Sequence, residues 1–110
     1  MIPLKHPQPL FVLSTVAKKT DATRIAKALV GERLAACVSI LPEAESHYVW
    51  KGKVCAEKEL LLLIKTLPRA YDRMESRLRE LHPYECPEIV ALPAVKVFDP
   101  YRRWLESGIG

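Results

Sequence analysis

Leu60-Leu61-Leu62-Leu63-Ile64-Lys65-Thr66-Leu67-Pro68 is an aliphatic run that ends in a polar pair and a proline. A short apolar run bounded in this way reads as a buried strand. Pro68 falls where the first turn of a helix has no use for an N–H, so the strand gives way to a helix there. The same order occurs earlier in the chain. Phe11-Val12-Leu13 ends at Ser14-Thr15 and precedes a helical pattern, and in both cases another strand-like run follows the helix. This faint internal repeat makes two βαβ halves.

The details of each half support that division. Ala22, Ile25, Ala26, Leu29 and Val30 make one stripe at helical spacing, with Thr20 or Asp21 as the cap and Gly31 near its end. Residues 34–41 follow as an apolar strand expected to be covered on both faces, with Pro42 bending or interrupting it. In the second half Leu67, Tyr71, Met74, Leu78 and Leu81 alternate by three and four, and Pro83 forces the helix to stop by His82. The run Ile89-Val90-Ala91-Leu92-Pro93 is the last strand. Lys51-Gly52 is a tight turn that joins the halves through a hairpin. The result is an α+β, ferredoxin-like β-α-β-β-α-β sandwich, mainly antiparallel, with both helices on one face. A further helix is expected at the C-terminal end, with Asp99 as cap, Pro100 at its first position, and Tyr101, Trp104 and Leu105 buried.

Residues 1–9, with three prolines, read as a flexible lead-in, and residues 10–110 as a single domain. The central hairpin is longer than the other two strands can cover. A projecting two-strand ribbon is marginal alone. Tyr48 and Trp50 alternate and so share one of its faces, where they are expected to form an oligomer interface.

Composition narrows the class of function. The chain has 110 residues, is 49% hydrophobic and 27% charged, and carries a formal net charge of +4. That balance is ordinary for a globular protein and makes no demand for nucleic acid. No apolar run is long enough to cross a bilayer, so no membrane partner is expected. Arg69, Arg73 and Arg77, spaced by four, read as a solvated helix face. Cys37, Cys55 and Cys86 are odd in number and form no CxxC pair, which speaks against a disulfide framework and for a reducing, cytoplasmic setting. Cys37 lies in an apolar run and reads as a small hydrophobe.

Chemistry concentrates in His82-Pro83-Tyr84-Glu85-Cys86-Pro87-Glu88. The two prolines stiffen the segment and keep it extended. His82, Cys86 and Glu85 are candidate metal ligands, the thiol and imidazole being suited to copper. Tyr84 and Glu88, with Lys51, Lys53 and Lys65, are candidates for a ligand cleft, where the lysines would neutralise an anion. Neighbours on an extended segment point to opposite faces, so this stretch cannot close a site alone. A complete site needs residues from elsewhere, another subunit included. Other uses of this fold are excluded. The turn after the first strand, Thr15-Val16-Ala17-Lys18-Lys19, lacks the arginine and glycine of a phosphate-cradling loop and the CxxC of a copper chaperone. RNA-binding aromatic patterns, a P-loop and a dinucleotide fingerprint are all absent.

Taken together, Arg33-Leu34-Ala35-Ala36-Cys37-Val38, Tyr48-Val49-Trp50-Lys51-Gly52-Lys53, residues 59–66 and His82-Pro83-Tyr84-Glu85-Cys86-Pro87-Glu88-Ile89 resemble the CutA family, the divalent-cation tolerance proteins. The resemblance runs over residues 11–105. It implies a homotrimer similar in architecture to PII signalling proteins, with ligand sites in clefts between subunits and no established catalysis, so that no catalytic residue is assigned. It also implies divalent metal ions, Cu(II) among them, as ligands. The alternative is a PII-like regulator that binds a small anion or nucleotide in the same clefts. Copper ligands proposed in the family fall at Ser14, Leu81 and His82 of this chain, of which only His82 has a metal-binding side chain.

Overall fold

A computed structural model describes residues 7–110. The elements are β1 (Leu10–Val16), α1 (Lys19–Gly31), β2 (Cys37–Trp50), β3 (Lys53–Thr66), α2 (Pro68–Leu81), β4 (Val90–Pro93) and α3 (Asp99–Ser107). The strands form one sheet in the order β2-β3-β1-β4, every pair antiparallel. This is the ferredoxin-like order expected from the repeat. Part of the expected lead-in, residues 1–6, lies outside the described residues. Pro9 is buried, and its carbonyl accepts the Ala94 N–H at 2.8 Å.

Register assigns the faces of the sheet. Val12 and Val38 both pair with Ile64, Ser14 and Ile40 with Leu62, and Val16 with Leu60, so these residues share one face. Across it lie Ala22, Ile25 and Leu29 of α1 and Met74 and Leu78 of α2, together making the main core. The opposite face carries Leu13, Leu41, Leu61, Leu63, Val90 and Leu92 by the same pairings. Only its far end is covered. There α3 and the chain end place Leu105 and Ile109 in a second cluster with Leu67 and Ala70, with Phe11 and Ala36 packed against it. The apolar run of β2 is therefore covered on one face of the subunit, not two, and Leu41 is exposed. Regular pairing also starts at Cys37 rather than residue 34, because the N–H groups of Leu34 and Ala35 close the end of α1 on the Leu29 carbonyl.

Pro42 interrupts the ladder without ending it. Leu41 pairs with Leu61 and Ala44 with Glu59, so Pro42 and Glu43 together oppose Leu60. This is a β-bulge, placed where proline has no N–H to contribute and Glu43 takes a left-handed φ of 65°. Beyond it the ribbon runs on to a two-residue turn in which Lys51 and Gly52 both have positive φ, 51° and 79°. That is the combination a type I′ hairpin turn needs to match strand twist.

α3 differs from the sequence reading. Phe98, not Asp99, is its N-cap, and the buried stripe is Arg102 and Leu105. Trp104 is 52% exposed and Tyr101 half-buried. Trp104 is turned outward and Arg102 is buried in its place, its guanidinium pairing with Asp99 at 2.6 Å and with Glu106. The expected solvated arginine face on α2 is also partly engaged. Arg77 ties α2 to Glu32 at the end of α1 at 3.0 Å, and Arg69 donates to the Ile109 carbonyl at 3.3 Å.

Ser14 is fully buried on the helix-covered face, and its Oγ has no partner among the described residues. An unsatisfied buried hydroxyl carries its desolvation cost without return. Ser14→Ala is therefore expected to stabilise the fold by about 1 kcal/mol in urea titration, and a loss of stability would show that the hydroxyl has a partner.

Candidate functional site

One face of the projecting ribbon and the Pro-bracketed segment enclose a groove of about 640 Å³, lined by Thr15, Tyr48, Trp50, Glu57, Glu59, Tyr84, Glu85, Cys86 and Glu88, with Ser46 and His47 at its side. Glu57 and Glu59 are two apart on β3 and so project from the same face. Tyr48 and Trp50 do likewise on β2, which brings both aromatics onto the groove wall. Four carboxylates reach this groove, and no lysine or arginine among the described residues lines it.

His82 organises the wall. It is the C-cap position of α2, where its N–H closes the helix on the Leu78 carbonyl at 2.9 Å. Its side chain is 7% exposed. Nε2 lies 2.9 Å from the Thr15 carbonyl, and Nδ1 accepts the Tyr84 backbone N–H at 3.1 Å. A carbonyl can only accept and an amide N–H can only donate. The ring is therefore neutral with its proton on Nε2. Both nitrogens are committed, so direct metal ligation by His82 requires breaking one of these bonds. Burial holds the His82 pKa below its ordinary value, against a smaller opposite pull from the Thr15 carbonyl.

That shift has a consequence for stability. A histidine whose folded pKa is depressed binds its proton more readily in the unfolded chain. Its contribution is complete above the unfolded pKa of about 6.5 and is lost as pH falls from there through the folded value. In buffer containing EDTA, unfolding midpoints are expected to drop as pH falls below about 6.5. The slope should flatten in His82→Gln; an equal slope in both proteins would assign it to other groups.

Tyr84 continues the wall. Its ring meets that of His82 edge-on, with centroids 4.8 Å apart, and its hydroxyl donates to Glu59 Oε2 at 2.6 Å. Burial first, and then the bond to this carboxylate, push the phenol pKa well up, so Tyr84 stays a donor. Tyr48 is pushed up in the same direction by lost hydration and by a hydrogen bond to Glu57. The Tyr84 phenol thus holds one carboxylate of β3.

The other candidates sort by place. Glu85, Cys86, Tyr84 and Glu88 all line the groove, and Cys86 is an exposed free thiol. Lys51 sits in the hairpin turn and Lys53 follows it, and both are exposed. Lys65 is held elsewhere, with Nζ 3.1 Å from the Tyr101 hydroxyl and above the Phe11 ring, where it secures α3. Ser14 points into the core, while Thr15 beside it faces the groove. The sequence reading does not single out Glu57 and Glu59; their period-two spacing on the strand that pairs with that of Tyr48 was the available signal. Among the described residues, no group of three or more His, Cys, Asp or Glu side chains is placed to hold a metal ion. Carboxylates and a thiol are donors that divalent cations accept, but the described residues do not assemble them into a site. No helix among the described residues is long and apolar enough to cross a membrane.

A ferredoxin-like sheet carrying a long ribbon, with an acidic groove at the ribbon's base, matches known proteins closely. The family model for the CutA1 divalent ion tolerance protein matches residues 10–108. The divalent-cation tolerance protein CutA of Thermus thermophilus is 50% identical over 99 residues, which are 90% of this chain and 96% of that one. Human protein CutA is 42% identical over 93 residues, and the match spans 84% of this chain but only 52% of the human protein. Among solved structures, the T. thermophilus protein superposes with a TM-score of 0.90 at 48% identity, covering 93% of this chain and 99% of that one. CutA of Synechococcus elongatus gives 0.91 at 34% identity, covering 97% and 95%. The chain belongs to the CutA1 divalent ion tolerance family.

Proposed function

We propose that this chain is the subunit of a non-enzymatic homotrimer that binds divalent cations, Cu(II) included, in clefts between subunits. The observation that carries the reading is Glu59. The residue is only 7% exposed, its carboxylate receives one hydrogen bond, from Tyr84, and it stands in a groove with three other carboxylates and, among the described residues, no lysine or arginine. A carboxylate so placed calls for a cation. Glu85 and Cys86 lie on the same wall, and the missing donors come from a neighbouring subunit packed on the uncovered sheet face. His82 acts behind this wall by holding Tyr84. The names of the relatives, which speak of divalent-cation tolerance, agree. An anion or a nucleotide phosphate in this groove would face four carboxylates, and Lys51, Lys53 and Lys65 are not there to offset them. Three free thiols suit a reducing cytoplasm.

Titration calorimetry of the metal-free protein with MnCl₂ and CuCl₂, beside ATP as the anionic control, tests the reading. Saturable binding of the cations, weakened in Glu59→Gln, is expected. Binding of ATP alone would replace this reading by the anion-binding one.

A further inference from the structure

The groove beside the ribbon is walled by open aromatic rings as well as by carboxylates. Tyr48 and Trp50 stand on alternate residues of one face of β2 and remain 36% and 46% exposed, and Tyr84 lines the groove as well. The space between the walls, about 640 Å³, is that of a small-molecule site. The acidic groups are strung out beside these rings. Glu57 and Glu59 are alternate residues of β3, about 7 Å apart along the strand, and Glu85 and Glu88 lie on the Pro-bracketed segment. Among the described residues no three of these carboxylates converge on a point that would hold a metal ion. Glu59 is nevertheless almost wholly buried with one oxygen, Oε1, that has no hydrogen-bond partner among the described residues. Toward the tip, Lys53 stands opposite Trp50 by register and marks the end of the acidic stretch.

We infer that this groove binds a linear aliphatic polyamine, with its ammonium groups at the carboxylates and its methylene chain along the rings of Tyr48 and Trp50. A metal ion concentrates its charge at one centre and needs its donors gathered around it. A polyamine carries its charge at intervals, joined by apolar links, and so matches carboxylates spread along a wall. Each ammonium has several N–H donors for carboxylate oxygens, the free oxygen of Glu59 included. The aromatic faces add cation–π attraction for the ammonium groups and an apolar surface for the carbons between them. A groove lined by one sign of charge also concentrates ligands of the opposite sign. The inference goes beyond the metal reading and does not rest on it, because it needs no donor from a second subunit.

Calorimetry of the metal-free full chain with spermidine, at one pH and salt concentration, tests this. Saturable binding is expected. Trp50→Leu keeps the apolar bulk and every charge, and should weaken binding roughly threefold through loss of a cation–π face. Glu57→Gln should weaken it roughly tenfold, the equivalent of one charge-assisted hydrogen bond. Fluorescence gives a second readout. In Trp104→Phe, Trp50 is the one remaining tryptophan, and spermidine should shift its emission while MgCl₂ at equal charge does not. Spermidine binding that Trp50→Leu leaves unchanged, with Trp50 emission unmoved, would be general attraction by negative charge and overturns the inference. No saturable spermidine binding by the wild-type protein also overturns it, and leaves the metal reading standing if Mn²⁺ binds. Spermidine binding with both expected losses, in a protein that does not bind Mn²⁺, would sustain the inference and sink the metal reading alone.

Discussion

In the homotrimer proposed above, Leu92→Glu is expected to break the assembly down to single chains while leaving the subunit folded. Leu92 lies on the sheet face that α3 covers only at its far end, beside Phe11 by register, and is 50% exposed in the subunit. Leu13, Leu41, Leu61, Leu63 and Val90 share that face, and Val90 and Leu41 are 46% and 44% exposed. A contiguous apolar surface of this kind is the mark of an interface. In an isolated subunit the new carboxylate stays hydrated, and surface changes of this sort shift stability by about ±0.5 kcal/mol. In an assembly it would be buried without a partner, at several kcal/mol for each copy. Symmetry repeats the penalty at every interface, so the effect on assembly is far larger than the effect on the fold. Light scattering should report the mass of one chain, and circular dichroism an unchanged spectrum. A variant that keeps the wild-type mass would move the interface off this face and remove the support for clefts between subunits.

The difference between the two sheet faces also shows why the sequence was legible in some places and opaque in others. The aliphatic run of residues 60–64 and its echo at residues 11–13 specify strands, and the helical stripes specify what covers them, because burial on one side imposes a period that survives in a single sequence. The ferredoxin-like order followed from that alone. Local signals of φ and hydrogen-bonding capacity were equally readable: Pro68 opening α2, Pro83 closing it, and Lys51-Gly52 as the turn. What failed was end geometry and whatever depends on a third partner. Asp99 and Pro100 read as cap and first residue, but Phe98 caps, and Arg102 rather than Trp104 joins Leu105 in the buried stripe. The period of the apolar run in β2 could not say whether its second face is covered by a helix or by another chain.

The site was legible as a segment but not as a constellation. His82, Tyr84, Glu85, Cys86 and Glu88 were singled out because a stiff stretch carried too many reactive groups for a simple connection, and four of these line the groove. Glu57 and Glu59 escaped because a charged residue on a strand looks solvated until the residue opposite it is known. The bulge at Pro42 and Glu43 sets the register beyond it, pairing Ala44 with Glu59 and Ser46 with Glu57, which brings Glu59 to the phenol of Tyr84 and both carboxylates to the groove. Long-range register, not local pattern, makes this groove.

Leu62→Ala is expected to cost about 3 kcal/mol, read from denaturant midpoints at a fixed protein concentration. Leu62 is fully buried in the middle of the sheet, between Ser14 on β1 and Ile40 on β2, in the cluster that holds Ile25, Leu29, Met74 and Leu78. Leu→Ala changes at such sites lose the transfer free energy of the removed carbons and leave a cavity. Here the cavity is bounded on two sides by hydrogen-bonded strands, which cannot move in to fill it. The informative control is one residue along. Leu63 points to the opposite face and is only half-buried in the subunit. In the single-chain Leu92→Glu background, Leu63→Ala should cost about 1 kcal/mol while Leu62→Ala keeps its full effect. In the assembled protein the two costs should approach each other, because Leu63 then loses contacts with a second subunit. Equal costs in the single-chain background would show that the second face is already covered within one subunit, and would contradict both the register and the interface built on it.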